Sequence, residues 1–204
     1  MRTRLGVAEG ALGLAVIGQI TPWKGQLDAI RMVALLRDRG VIAQLLIVGE
    51  AKFTSAATRY DNRAYQAELE RLIESEALGD RVRLLGERAD VPAIMGALDA
   101  LLVPSWDEPF GRVVVEAMAA GTPVIATEVG GPAEIITDAI DGILLAPRTP
   151  SRWADAVERL AASPELQSRL ARAGARRAND FALAKHVTAM CEVYEQARSA
   201  PAPR

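Results

Sequence analysis

The chain has 204 residues, of which 50% are hydrophobic and 25% are charged, and its 24 basic and 26 acidic residues give a net charge of −2. At ~100–200 residues per domain, this length predicts one domain, or one domain with a small appendage, that buries a core without disulfides or metals. The balanced charge disfavours a nucleic-acid-binding protein, which usually carries a basic excess or a clustered basic face.

The cysteine content and the apolar runs bear on location. The single cysteine, Cys191, excludes an intramolecular disulfide and is compatible with a reducing compartment. The residues after Met1 show no signal-length apolar segment, and no run approaches the roughly 18–20 apolar residues of a membrane span. We therefore expect a cytoplasmic protein without a transmembrane segment.

Short apolar runs alternate along the chain with amphipathic stretches of helical spacing. Strands are predicted at 14–20, 41–48, 81–85, 100–103, 123–127 and 143–145. Helices are predicted at 28–39, 63–77, 92–97, 111–120 and 132–136, and from 150 onward with a break near 179–180. This alternation of apolar strands and helices predicts one α/β domain over residues 1–198, with a parallel sheet covered on both faces and a disordered tail at 199–204.

Ligands of such sheets bind beyond the carboxyl ends of the strands, which directs attention to the loops that follow strands. The first of these loops runs from Gly18 to Gly25 and carries Lys24 directly before a predicted helix. A lysine at this place suits an anion, because its ammonium adds to the helix N-terminal amides and dipole. Taken alone, a solvated loop lysine is the favoured interpretation.

The second loop, 106–112, runs into the predicted helix at 111–120. Glu108 lies on the loop, Glu116 lies in the second helical turn, and Gly111 lets the backbone approach a ligand closely. A carboxylate in an apolar helical segment is expensive to bury unless it is hydrogen-bonded, and two sugar hydroxyls would satisfy Glu116. The alternative is a glutamate at the helix start followed by an exposed one.

The third loop, 127–132, carries paired glycines and a proline that suit a tight turn, and it could contribute amides to the same crevice. Other patterns point away from ligands. Gly10 and Gly13 precede the first strand and cannot form a dinucleotide fingerprint. His186 and Cys191 lie about 140° apart around a helix, which disfavours a shared metal. Core contacts are expected at Trp153, Val157, Leu160, Val187, Met190 and Tyr194, and a solvated face at the arginines of 159–177.

Residues 103–131, VPSWDEPFGRVVVEAMAAGTPVIATEVGG, together with 18–25, 46–49 and 83–86, resemble family 4 (group 1) glycosyltransferases. The resemblance covers roughly residues 10–196 and rests chiefly on the two glutamates in their EPFG…EAMAAGTPVIAT setting. It implies the C-terminal, donor-binding half of a GT-B enzyme, in which two Rossmann-like domains face each other across a cleft. No segment resembles the N-terminal, acceptor-binding half.

What the resemblance implies is a retaining, metal-independent transfer of a sugar from a nucleotide-diphosphate sugar to an acceptor hydroxyl, without a further cofactor. Carried over by position, Glu116 would bind the ribose hydroxyls of the donor and Glu108 would contact the transferred sugar near its anomeric centre. Lys24 would pair with the diphosphate. The loop from Arg88 to Asp90 would lie beside the base.

The resemblance also places the amides around Phe110, Gly111 and Arg112 against the sugar and the diphosphate. After the glycine that ends the first strand, here Gly18, the family usually has an arginine, whereas this chain has Gln19. We therefore predict that Lys24 carries most of the cationic load, with help from Arg112.

The partners implied are a nucleotide sugar, an unknown acceptor and the missing acceptor domain, through which a peripheral contact with the inner face of a membrane would come. In the family the terminal helix, here 184–197, commonly crosses back onto the N-terminal domain. Without that domain its apolar stripe must pack here, pack on another chain, or stay partly exposed. Two alternatives remain open: a sugar-nucleotide 2-epimerase-type isomerase and a non-catalytic nucleotide-sugar-binding module.

Overall fold

The fold was examined in a computed structural model that describes residues 1–52 and 59–199. The strands are β1 (Leu12–Ile17), β2 (Ala43–Val48), β3 (Val82–Gly86), β4 (Ala100–Val103), β5 (Val124–Thr127) and β6 (Ile143–Leu145). The helices are α1 (Gln26–Asp38), α2 (Asn62–Ser75), α3 (Val91–Met95), α4 (Arg112–Ala119), α5 (Gly131–Ile135), α6 (Pro150–Ala161), α7 (Pro164–Ala178) and α8 (Leu183–Ser199). Short 3-10 helices cover Arg2–Leu5, Pro22–Lys24 and Asn179–Phe181.

The strands form one six-stranded sheet in the order β3-β2-β1-β4-β5-β6. Every neighbouring pair is parallel. The predicted α/β fold with a parallel sheet is therefore confirmed. The strand order reverses between β1 and β4, and this is the switch point beyond which such sheets bind ligands.

Helices cover both faces of the sheet. One apolar cluster joins the sheet to α1, α2 and α6 through residues such as Ile30, Leu69 and Trp153. A second cluster joins the opposite face to α3, α4 and α5 through residues such as Ile94, Met118 and Ile135. The four central strands β1, β2, β4 and β5 are buried on both sides, which explains why they read as apolar runs without alternation.

The first strand ends earlier than its sequence predicts. The apolar run continues to Ile20, but the chain leaves β1 after Ile17. A Cβ on Gly49 would lie 2.0 Å from the carbonyl oxygen of Gly18, so the ends of β1 and β2 pass too closely for any other residue at Gly49, whose φ is 139°. Ile20 is buried within the loop instead, where its amide donates to the carbonyl of Glu50 at 2.9 Å.

The terminal helix contradicts part of the predicted core. Trp153, Val157 and Leu160 on α6 are buried as expected, but α8 has no buried residue. On α8, the side chain of Val187 is 50% exposed and that of Tyr194 is 62% exposed, and Met190 is only partly buried. The prediction of core contacts at these three positions is wrong, because other helices already cover both faces of the sheet.

The C-terminal end of the domain differs slightly from its predicted bound. Ser199, expected to open a disordered tail, is the last residue of α8, and the rest of the predicted tail lies outside the described residues. Among the described helices, none combines the length and apolarity that crossing a bilayer would require.

Candidate functional site

Two loops meet at the switch point. The 3-10 helix Pro22–Lys24 follows β1, and the segment from Pro104 to Gly111 follows β4. A Cβ on Gly25 would lie 2.1 Å from the carbonyl oxygen of Pro104, so only glycine permits this approach. The amide of Trp106 donates to the carbonyl of Trp23 at 2.7 Å, which ties the loops together.

The junction holds a buried ion pair. Nζ of Lys24 donates to Oε2 of Glu108 at 2.5 Å, and Oγ of Ser105 donates to the same oxygen at 2.9 Å. Glu108 is only 5% exposed, so its charge needs both partners to offset the cost of desolvation. The sequence places these two residues on separate loops, 84 positions apart, and gave no signal of this direct contact.

Helix α4 begins at the same place. Gly111 precedes it with a φ of 88°, in the left-handed region, and no described side chain caps the helix. The first N–H groups of a helix have no intrahelical partner, and they favour negative charge through the helix dipole. Gly111, Arg112 and Val113 line the cavity described next, so this helix start is available to an anion.

An open cavity of about 690 Å³ lies over this junction. It brings together eight of the ten site residues that the sequence predicts: Gly18, Gln19, Lys24, Glu108, Phe110, Gly111, Arg112 and Glu116. The other two, Arg88 and Asp90, do not line it; they precede its lining residue Val91 in the chain. Three loops that are distant in sequence therefore form one concave surface at the carboxyl edge of the sheet.

Glu116 is placed differently from the expectation of an apolar setting. It lies in the second turn of α4, as predicted, but its side chain is exposed. The core-facing positions of this short helix are taken by Val114, Ala117 and Met118. The carboxylate of Glu116 therefore loses no hydration free energy, and it lines the cavity in contact with water.

Arg88 and Asp90 pair with each other. Nε and Nη2 of the guanidinium donate to the two carboxylate oxygens, both at 2.9 Å. Hydrogen bonding from Arg88 lowers the pKa of Asp90 below its ordinary value. The pair lies just before α3 in the chain, and its predicted place next to a base stays a prediction.

The third loop supports the site without lining it. The amide of Gly131 donates to the carbonyl of Glu108 at 2.8 Å, and a Cβ on Gly131 would lie 2.2 Å from the carbonyl oxygen of Phe110. None of residues 127–132 belongs to the described cavity lining. The expected contribution of amides to the crevice is therefore wrong at Gly131, whose amide holds the loop of Glu108 in position.

The loop at Gln19 is held by a residue that the sequence did not single out. Gln26, the first residue of α1, is fully buried, and its Nε2 donates to the carbonyl of Gln19 at 2.8 Å. Nε2 of Gln19 in turn donates to the carbonyl of Lys52 at 3.3 Å. The position of Gln26 directly after Gly25 could have indicated a role at the start of α1, but not its contact with Gln19.

The cations near the cavity differ in their partners. Lys52 forms an ion pair with Glu87 at 2.6 Å, and Lys185 forms one with Asp180 at 2.8 Å. Lys24 is the lysine among the described lining residues of the cavity. Arg112 also lines the cavity, and no described carboxylate forms an ion pair with it. Within residues 1–52 and 59–199, no cluster of three or more His, Cys, Asp or Glu could hold a metal ion.

These features define a Rossmann-like α/β domain with a cavity lined by charged residues at its switch point. The sequence model described as "Glycosyl transferases group 1" matches residues 2–177. The chain belongs to this glycosyltransferase family, and its six-stranded fold matches the C-terminal half of a GT-B enzyme.

Related sequences agree. The chain is 34% identical over 206 residues to the D-inositol 3-phosphate glycosyltransferase of Salinispora arenicola, covering 100% of this chain and 45% of that protein. It is 35% identical over 201 residues to the enzyme of the same name from Actinosynnema mirum, covering 97% of this chain and 47% of that protein. The chain thus spans about half the length of these relatives.

Solved structures give the same correspondence. Anabaena HepE in complex with UDP and glucose superposes with a TM-score of 0.84 at 30% identity, covering 98% of this chain and 51% of that one. The C-terminal domain of the group 1 glycosyl transferase LpcC from Francisella tularensis has a TM-score of 0.71 at 27% identity, covering 82% of this chain and 84% of that one. The family match favours a transferase over the isomerase alternative.

Proposed function

We propose that this chain is the donor-binding domain of a retaining, metal-independent glycosyltransferase that moves a sugar from a nucleotide-diphosphate sugar to an acceptor hydroxyl. The observation that carries the proposal is the single cavity that joins Lys24, Glu108, Glu116 and the start of α4. The structures of Anabaena HepE with UDP and with UDP-glucose support a uridine diphosphate donor.

Breaking the anomeric C–O bond builds negative charge on the departing diphosphate. Lys24 and the amides at the start of α4 lie where they can stabilise that charge without reorganising. An ammonium has three N–H donors, and Glu108 uses one of them, so Lys24 can bind a phosphate oxygen while it stays paired. Arg112 adds a second cation at the same end of the helix.

The two glutamates have separate tasks. Glu108 is held by Lys24 and Ser105 through Oε2, and neither contact uses Oε1, which is the atom we assign to a hydroxyl of the transferred sugar. Glu116 lies one to two turns along α4, where its exposed carboxylate accepts from the ribose hydroxyls. In a retaining transfer the leaving diphosphate assists the acceptor hydroxyl on the same face, so Glu108 positions the sugar rather than attacking it.

The acceptor half is supplied by the remainder of the protein. Alignment of donor and acceptor in one cleft contributes a large part of the rate enhancement in such enzymes. The 204-residue chain alone therefore binds donor and catalyses poorly or not at all. Sugar transfer measured with this chain alone would contradict this part of the proposal.

Titration calorimetry with UDP and UDP-glucose tests the donor site. We expect Lys24→Ala to weaken binding by about 100-fold and Glu116→Gln by about tenfold, since hydrogen bonds to charged groups contribute about 1.5–3 kcal/mol each. Arg172→Ala and Glu165→Gln, which change exposed residues of α7, are matched controls and should leave affinity unchanged.

Circular dichroism melts on all variants separate binding from folding. Lys24→Ala should also lower the Tm, because it removes a partner from the buried carboxylate of Glu108. Unchanged UDP affinity in folded Lys24→Ala would overturn the assignment of the diphosphate site. Conversion of the donor into an epimer, without a new glycosidic bond, would support the isomerase alternative instead.

A further inference from the structure

A second cavity, of about 430 Å³, lies beside the donor cavity. Trp23 and Pro109 line both cavities, so the two adjoin across the turn that carries Glu108. We call the second one the tryptophan cavity; its lining residues are Trp23, Arg59, Tyr60, Trp106, Asp107, Pro109 and Arg148. The proposed function leaves Trp106, Arg59 and Arg148 without a task.

The tryptophan cavity lies at the functional edge of the sheet. Its lining residues come from the segments that follow β1, β2, β4 and β6, all of which leave the sheet at the carboxyl ends of parallel strands. A ligand in this cavity would therefore lie on the same edge as the donor, on the other side of the Glu108–Pro109 turn.

The aromatic wall of the cavity is held rigidly. Nε1 of Trp106 donates to Oδ2 of Asp28 at 2.9 Å, and Asp28 is only 6% exposed on the first turn of α1. The hydrogen bond from the amide of Trp106 to the carbonyl of Trp23 holds the backbones of the two residues together. Fixed indole rings suit the C–H face of a sugar, since their negative faces attract polarised C–H groups and bury apolar area.

The described lining of the cavity also carries a net positive charge. The guanidinium of Arg148 lies 3.9 Å from the ring centroid of Trp106, and that of Arg59 lies 5.2 Å from the ring centroid of Tyr60. Neither arginine forms an ion pair with a described carboxylate, and Asp107 is the acidic residue among the described lining. A planar guanidinium with free N–H groups binds a phosphate or a carboxylate in two-pronged geometry.

The backbone at Arg148 is also unusual. Its φ of 57° is in the left-handed region, which favours glycine over a long side chain. An arginine at this position places a guanidinium over Trp106, which a glycine could not do. The cavity thus combines a hydrophobic ring surface with two cations aimed at one space.

From this combination we infer that the tryptophan cavity binds an anionic carbohydrate, whose ring packs against Trp23 and whose phosphate or carboxylate contacts Arg59 and the Arg148 guanidinium that lies over Trp106. This site is additional to the donor cavity, and it goes beyond the proposed function.

Nuclear magnetic resonance of the three tryptophan indole N–H groups tests the inference on the 204-residue chain. The probes are glucose, glucose 6-phosphate and glucuronate. We expect the signals of Trp23 and Trp106 to shift with an anionic sugar, and the signal of Trp153, which is 3% exposed, to stay in place. Whether the phosphate or the carboxylate binds more tightly identifies the charged group, and neutral glucose should bind at least about tenfold more weakly.

Variants assign the binding to this cavity. Arg148→Gln should weaken anionic-sugar binding about tenfold, and Arg148→Lys, which keeps the charge but loses the planar fork, should weaken it less. Arg172→Gln, an exposed arginine of α7, is the matched control and should change nothing. None of these side chains belongs to the donor cavity, so UDP affinity should stay constant in all of them.

The outcomes separate this inference from the proposed function. Normal UDP binding without any response of Trp23 and Trp106 to anionic sugars overturns the inference alone. Anionic-sugar binding that is lost in Lys24→Ala but kept in Arg148→Gln places the ligand in the donor cavity and also overturns it. Binding of anionic sugars that depends on Arg148, in a chain that does not bind UDP, supports the cavity and overturns the donor site.

Discussion

Helices α4 and α8 contribute very differently to this domain. The eight residues of α4 include three that are buried, whereas none of the 17 residues of α8 is buried. Both helices contain apolar side chains, and α8 exposes Leu183, Val187, Val193 and Tyr194. Apolar content therefore does not decide which helix belongs to the core.

Position relative to the sheet makes the difference. Helix α4 follows β4 at the switch point and packs on the sheet, and the segment before it is held against the loop of Lys24. Helix α8 begins after the chain has already covered both sheet faces. The site is accordingly built where packing fixes a helix start, and α8 keeps an apolar surface for contacts outside the described core.

The largest loss of stability is expected at Met118 on α4, and Met190 on α8 provides the contrast. Met118→Ala on α4 removes a fully buried side chain and should lower the free energy of unfolding by about 2–5 kcal/mol. Met190→Ala on α8 should stay within about 0.5 kcal/mol, because little packing is lost. Urea denaturation of both variants measures the contrast, and comparable losses would mean that α8 packs on the core in solution.

The start of α1 depends on a hydrogen bond to a side chain of another helix, α2. The hydroxyl oxygen of buried Tyr65 on α2 accepts from the amide of Leu27 at 3.1 Å. Tyr65→Phe leaves that amide without a partner and should cost about 1–3 kcal/mol of unfolding free energy, measured by urea denaturation. A Tyr194→Phe variant, which changes an exposed tyrosine of α8, is the control.

The same residue predicts a pH dependence. Desolvation by burial raises the pKa of Tyr65 above its ordinary value of about 10. The folded state then holds the proton more tightly than the unfolded state, so this contribution is complete below about pH 10 and is lost as the pH rises toward the folded pKa. Stability measured from pH 9 to 11 should fall more steeply in the wild type than in Tyr65→Phe, and equal slopes would contradict the assignment.

The smallest effect should follow removal of α8. A chain that ends at Ala182 should lose less than about 1 kcal/mol, which corresponds to roughly 2–4 °C in Tm for a domain of this size. Only exposed contacts, such as the ion pair between Lys185 and Asp180, are removed. Calorimetric melting and UDP titration check this expectation, and a loss of cooperative unfolding would refute it.

The sequence predicted the elements of the fold better than their partners. The apolar runs located all six strands, because a parallel sheet buried on both faces requires such runs. The motif around Glu108 and Glu116 pointed to the candidate site, since loops at the carboxyl ends of parallel strands share one edge of the sheet. The exposure of Glu116 and of α8 was missed, because helical periodicity does not show which face a neighbour covers.

By itself, then, the sequence determined the alternation of strands and helices, the residue types at each loop, and membership of a glycosyltransferase family. Only the tertiary structure decided that Lys24 pairs with Glu108, that Gly131 supports the loop of Glu108, and that Trp23 and Trp106 form one wall with Arg148 beside it. The physical reason is that these contacts join loops far apart in the chain, and the strand order that brings the loops together is set by the packing of the whole sheet.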